Sequence, residues 1–369
     1  MLQHLYAETF LCPGLDLSFQ WRFHNNGLGL LDIIDPESPT RGAFTQAVER
    51  FEGTLFELAP NKPTLIEWAN SQHTLEDPAD IRELRLASAH VLQQSIEIFQ
   101  GMQMMTDRAE DPVRLSAIHH NIGDVMGCIG QRSGSVHFLE QAALSYEQAL
   151  EMRDQDNTPA TWTQTSFNTA IVMQTLGQLE NDAGFMKQAL QLFKEVVNHI
   201  PREQTPDDWA SAMCQVATLL CQLGTHRRGA RTLEQALVAF QNAAAERSIE
   251  KNLPAWITLQ NNLATTLQAL GEHEEDIGSL EASLPVYDTL LKTIDPASMP
   301  LVFLLVSANR ASAQIALAGE SDYLDMAESS VTAFQHIADE LEPTDYKTYH
   351  DKATRQMQRA RDLVATLQV

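Results

Sequence analysis

From residue 112 onward the apolar residues fall at i, i+3, i+4 and i+7, the period of amphipathic helices, and the whole pattern repeats. Trp256, Gly271, Leu280 and Tyr287 mark one copy; 47 residues upstream stand Trp209, Gly224, Leu233 and Phe240. The same step leads to Trp162, Gly177 and Phe193, and then to Leu115, Gly130, Leu139 and Tyr146. A fixed period of this length predicts stacked helical hairpins, in which each unit covers the apolar face of the next. First helices are expected to begin at Pro112, Pro159, Pro206, Leu253 and Pro300. Asp111, Thr158, Thr205 and Asn252 are suited to cap them, and an early proline has no amide hydrogen to leave unpaired. Gly130, Gly177, Gly224 and Gly271 read as left-handed stops, which gives first helices of about 18 residues followed by seven-residue connections.

The first 39 residues follow a different rule. Leu15, Leu17, Phe19, Trp21 and Phe23 alternate with polar residues, the period of a half-buried strand, and Asn25-Asn26-Gly27 offers a turn before Leu28 to Ile34. A lone hairpin is marginal in water, so it is expected either to cap the first helices or to join a second copy of the chain. Residues 40–111 read as a helix and a degenerate first repeat, 112–346 as five repeats and 347–369 as a closing helix. That helix sets Tyr349, Ala353, Met357 and Ala360 against Lys352, Arg355 and Arg359.

Charge and cysteine usage narrow the function classes. Asp plus Glu is 49 against 25 for Lys plus Arg, a net charge of −24, which repels phosphate backbones and anionic membranes. The four cysteines show no CxxC spacing, as expected of reduced thiols in the cytoplasm. No signal peptide is evident, and the longest wholly apolar run, Leu301 to Val306, is too short to cross a bilayer. No HExxH, GxSxG, GxGxxG or phosphate-loop motif occurs, and no cofactor or metal is expected; His119 and His120 are adjacent and point to different faces.

The repeats resemble the tetratricopeptide family. Ala236-x3-Phe240-x2-Ala243 and Ala142-x3-Tyr146-x2-Ala149 match the small–aromatic–small pattern of its second helix. Leu263-Ala264-x2-Leu267 stands where its first helix carries Leu-Gly-x2-Tyr. A small residue recurs as Gly123, Ala170, Ala217, Ala264 and Ala311. The repeat is longer than the family's 34 residues, and the extra residues are assigned to the inter-helix loop and the second helix. The resemblance implies an all-α, right-handed helical-hairpin solenoid behind the N-terminal β-hairpin, with first helices lining the concave surface.

That implication selects the candidate site. One register holds Asn121, Asn168, Gln215, Asn262 and Asn309; His120, Phe167 and Asn261 precede it, and Asp124, Thr218 and Thr265 follow one turn later. Gln164, Ser211 and Thr258 complete the face. The amide row resembles the asparagine ladders that hold an extended peptide by its backbone, since an amide both donates and accepts. No Lys or Arg occupies these positions, which disfavours a clamp for a terminal carboxylate. Arg227, Arg228 and Arg231 form a basic island, and Glu272, Glu274 and Glu275 oppose it one repeat later; a charged partner could dock there. A non-catalytic, cytoplasmic adaptor for a protein or peptide is therefore expected, with no nucleic acid or membrane partner. Two alternatives stand beside it: a homo-oligomeric element joined through the hairpin, and an enzyme or effector whose site lies in the N-terminal 60 residues.

Overall fold

In a computed structural model, the described residues are 96–97, 99–227, 229–321, 323–342 and 347–368. The expected N-terminal hairpin, the helix after it and most of the degenerate first repeat lie outside them. Residues 99–104 are helical, and eleven longer helices follow. They are α1 Pro112–Ser133, α2 Val136–Leu150, α3 Pro159–Leu179, α4 Ala183–His199, α5 Pro206–Arg227 and α6 Ala230–Ala244. The remainder are α7 Leu253–Glu274, α8 Ile277–Thr293, α9 Pro300–Ser321, α10 Leu324–Leu341 and α11 Lys347–Leu367. No strand occurs among the described residues.

The helices fall into two compact units, one carrying α1–α4 and the other α5–α11. Within each unit, odd and even helices pair as hairpins, and each hairpin packs on the next. In the first unit Leu139, Ala142 and Tyr146 of α2 form a core with Val172 and Leu176 of α3. In the second a larger core runs from Ile257 through Tyr287, Leu305 and Phe334 to Met357 and Ala360. The aromatic register of the second helices is its anchor: Tyr146, Phe193, Phe240, Tyr287 and Phe334 are all fully buried. Helix α9 is long and apolar enough by composition to cross a bilayer, yet 78% of that window is buried inside the protein, as in a core helix.

Two local expectations need correction. The first helices run to 21 or 22 residues, and the hairpin connections shrink to two or three, such as 134–135 and 180–182. The extra length of each repeat therefore lies in the first helix and in the link between hairpins, such as 151–158 and 245–252. Gly130, Gly177, Gly224 and Gly271 are accordingly not stops but interior residues of their helices. A Cβ on them would meet Leu139 Cγ at 2.7 Å, Met186 Cγ at 2.8 Å, Leu233 Cγ at 2.9 Å and Leu280 Cγ at 2.7 Å. Glycine is needed there because the following helix crosses too closely for a side chain.

The left-handed residue comes four positions later, at Gly134, Asn181 and Glu275, with φ of 64°, 55° and 56°. The next amide then reaches back to the glycine carbonyl: Ser135 to Gly130 at 3.0 Å, Asp182 to Gly177 and Asp276 to Gly271 at 2.9 Å. This is the Schellman closure of a helix end. At the other end, the Asp111 and Asn252 side chains accept the Arg114 and Ala255 amides. Thr158 makes no such bond; its hydroxyl is taken up by the backbone of Asp154.

Candidate functional site

Within each unit the first helices carry the expected polar residues at one helical position, but they differ in access. Asn121 on α1, Gln164 and Phe167 on α3, Ser211, Gln215 and Thr218 on α5, and Thr258 and Asn262 on α7 are half-buried. Asn168, Asn261, Thr265 and Asn309 are 1% exposed or less, and His120 and Asp124 are 4% and 2% exposed. The expected uniform amide ladder is thus interrupted. Asn168 Nδ2 donates to Asp124 Oδ1 at 2.7 Å, and Asn309 Nδ2 donates to Asn261 Oδ1 at 2.9 Å. In both pairs the amide bridges one first helix to the next, which holds hairpins together.

Hydroxyls on this face are committed on one side. Ser211, Thr218 and Thr258 each donate to the carbonyl four residues back, at 2.8, 2.9 and 3.1 Å. Their remaining capacity toward a ligand is to accept. Phe167 meets the Phe193 ring edge-on at 5.2 Å and belongs to the packing of α3 on α4.

A polar network lies beneath the face of α1 and α3. Asp124 Oδ1 accepts from the Tyr146 hydroxyl and from Asn168, both at 2.7 Å, while Oδ2 is 3.4 Å from His120 Nε2. His120 Nδ1 is 3.1 Å from Thr165 Oγ1, which also accepts from Arg153. Arg153 donates further to Ser116 Oγ at 2.8 Å and to the Thr161 carbonyl at 3.1 Å. Burial works against the charge of Arg153, and the negative Asp124 supports it. A buried cation and a buried anion thus compensate one another through neutral bridges. The neighbouring His119 turns elsewhere; burial and then Arg108 lower its pKa, against the pull of Glu151.

Sequence reasoning missed the arginines. Arg153 and Arg247 follow the ends of α2 and α6 and reach the first helices of their own units, where Arg247 Nη2 donates to Ser211 Oγ. The named positions of the first helices carry no Lys or Arg, as read from the sequence, but the links after two second helices bring arginines to those helices. Comparing Arg153 and Arg247 with Ile200, Ile294 and Leu341, which share their register, would have exposed the difference.

The charged loops are also revised. Arg227 ends α5, Arg231 lies within α6, and Arg228 falls outside the described residues. Glu272 and Glu274 are helical residues of α7, and only Glu275 sits in the turn. Glu272 faces inward; burial pushes its carboxyl pKa up, against a bond from Gln268 Nε2 at 2.8 Å and the charge of Arg359. No cluster of three or more His, Cys, Asp or Glu among the described residues is placed to hold a metal.

These elements define the class, an all-α protein of consecutive helical hairpins. No family model matches the chain, and no curated protein matches it. Among solved structures it is similar to a Rap protein complexed with competence and sporulation factor, at 14% identity and a TM-score of 0.37. That alignment spans 99% of this chain and 97% of the other.

Proposed function

We propose that the chain is a non-catalytic adaptor that holds a peptide segment of a partner along the first helices of a long-period, tetratricopeptide-like array. One observation carries the proposal: half-buried amides and hydroxyls recur at fixed helical positions, from Asn121 through Gln164, Ser211 and Gln215 to Thr258 and Asn262. Within each unit, amides that recur at one helical position suit the alternating N–H and C=O groups of an extended backbone. The period supports the array, since first helices begin at Pro112, Pro159, Pro206, Leu253 and Pro300. The free state of half-buried Cys214 and buried Cys221 fits a reducing compartment such as the cytoplasm.

The test separates half-buried amides from bridging ones. With a peptide selected from a displayed random library, Asn121→Ala, Gln215→Ala and Asn262→Ala should each weaken binding by about 0.5–1.5 kcal/mol while the melt is unchanged. Asn168→Ala and Asn309→Ala should lower the melting temperature, because each strands a buried partner. Wild-type affinity in all three half-buried variants would move the site off this face.

A further inference from the structure

At one 47-residue register near the end of each second helix stand in turn Arg153, Ile200, Arg247, Ile294 and Leu341, the last still within α10. Ile294 and Leu341 are core residues, 3% and 0% exposed, so an aliphatic side chain satisfies the fold at this register. Arg153 departs from that rule inside a network that uses its donors and faces Asp124. Arg247 departs from it without such support. Among the described residues its hydrogen-bond acceptor is Ser211, and its Nε is shut off from solvent with no acceptor. Among the described residues no carboxylate stands within ion-pair distance of it, in a chain with 49 acidic residues to 25 basic. Cys214 lies close enough for the Arg247 charge to pull on its thiol, although burial wins and pushes that pKa up to about 11. A half-buried guanidinium whose Nε is shut off from solvent and unpaired is unfavourable, and the packing alone would be served by isoleucine.

The same stripe of α5 ends in the opposite deficit. Ser211, Gln215, Thr218 and Gln222 follow one another at helical spacing, and the Gln222 Oε1 is a buried acceptor with no donor. A cation with an unpaired Nε and no anionic partner among the described residues at one end, and a carbonyl lacking a donor at the other, match a segment with a carboxylate and backbone N–H groups. The stripe covers about 16 Å of helix, the reach of roughly five extended residues. A phosphate would call for more than the single cation this stripe holds.

We infer that Arg247 is the anion subsite of the α5 face and takes a carboxylate of the bound peptide in its planar fork, with Ser211, Gln215 and Thr218 alongside. The inference rests on the peptide-binding proposal above and adds the chemistry of the ligand. The carboxylate is either the peptide's C-terminus or an Asp or Glu side chain.

The experiment uses the full chain and pooled random peptides in four forms: free-acid or amidated C-termini, each with or without Asp and Glu. Retention is read by affinity selection and mass spectrometry for wild type, Arg247→Ile and Arg247→Lys. Wild type should enrich one or both carboxylate-bearing forms, and which pool is enriched identifies the source. Arg247→Ile should lose that enrichment by at least about tenfold, as expected for a charged hydrogen bond, and Arg247→Lys should keep part of it. Arg247→Ile should also melt at or above the wild-type temperature. A variant that melts several degrees lower would make Arg247 a structural residue and overturn the subsite. Equal retention of every pool by wild type and Arg247→Ile would overturn it too, leaving peptide binding intact. Retention of no pool by wild type would remove both proposals together.

Discussion

Glu272 shows how far a residue's chemistry departs from its place in the sequence. Beside His273, Glu274 and Glu275 it reads as a solvated charge, yet the helix continues past Gly271 and turns its carboxyl inward. Its pKa is raised above the ordinary 4.5 by burial, the largest cause. An acid with a raised folded pKa carries no penalty while it is protonated in both states. The penalty grows as pH rises from about the ordinary value through the folded one. Glu272→Gln, which keeps an acceptor for Gln268, should therefore melt higher than wild type at neutral pH. The advantage should vanish below the ordinary carboxylate range, and thermal melts across that window check it. A constant advantage at all pH values would mean that packing, not charge, sets the difference. The candidate site was legible only in part for the same reason. Periodicity located Asn121, Asn168, Gln215, Asn262 and Asn309 on one register, but the partners Asp124 and Asn261 decide which amides are used up internally.

At the scale of the element, helix starts were easier to read than helix ends. Proline beside an Asp or Asn cap announces a start in the local sequence. Gly271 carries two meanings that local sequence does not separate, a turn or a close crossing, and only the approach of α8 selects the second. The distinction is measurable. Gly271→Ala should cost about 1–3 kcal/mol, because the new Cβ would meet Leu280 Cγ at 2.7 Å and the Asp276 carbonyl at 2.9 Å. Gly319→Ala in α9 meets nothing within 4 Å and should instead stabilise by about 0.5–1 kcal/mol through helix propensity. Chemical denaturation of both variants checks the contrast; equal effects would contradict the crossing. Gly123 reports the same constraint within the first hairpin, where a Cβ would lie 2.5 Å from the Tyr146 ring.

For the whole molecule, the net charge of −24 acts on every described helix at once. Like charges repel in the compact state, and screening shortens their reach to about 8 Å at physiological ionic strength. The melting temperature should therefore rise as sodium chloride is added from low ionic strength. Calorimetry in a salt series checks this, and a fall would show that attractive pairs such as Arg108–Glu151 and Arg310–Asp288 outweigh the repulsion. The fold class was legible because a repeat states the same pattern several times, so an ambiguous helix in one copy is resolved by its counterpart. Hairpin connections were not, because their length depends on where a helix stops against its neighbour.

The hairpin tips have one more consequence. Their closure depends on main-chain bonds, from Ser135, Asp182 and Asp276 back to glycine carbonyls, and on a left-handed residue that is Gly, Asn or Glu in different copies. At the left-handed position side-chain identity is therefore close to silent in the fold, whereas the next residue, Asp182 or Asp276, caps the following helix; the left-handed position is where such a tip accepts foreign sequence. The turn at Glu275 is a natural attachment point for a dye, a tag or a grafted loop, carried on a helix pair whose core does not register the cargo.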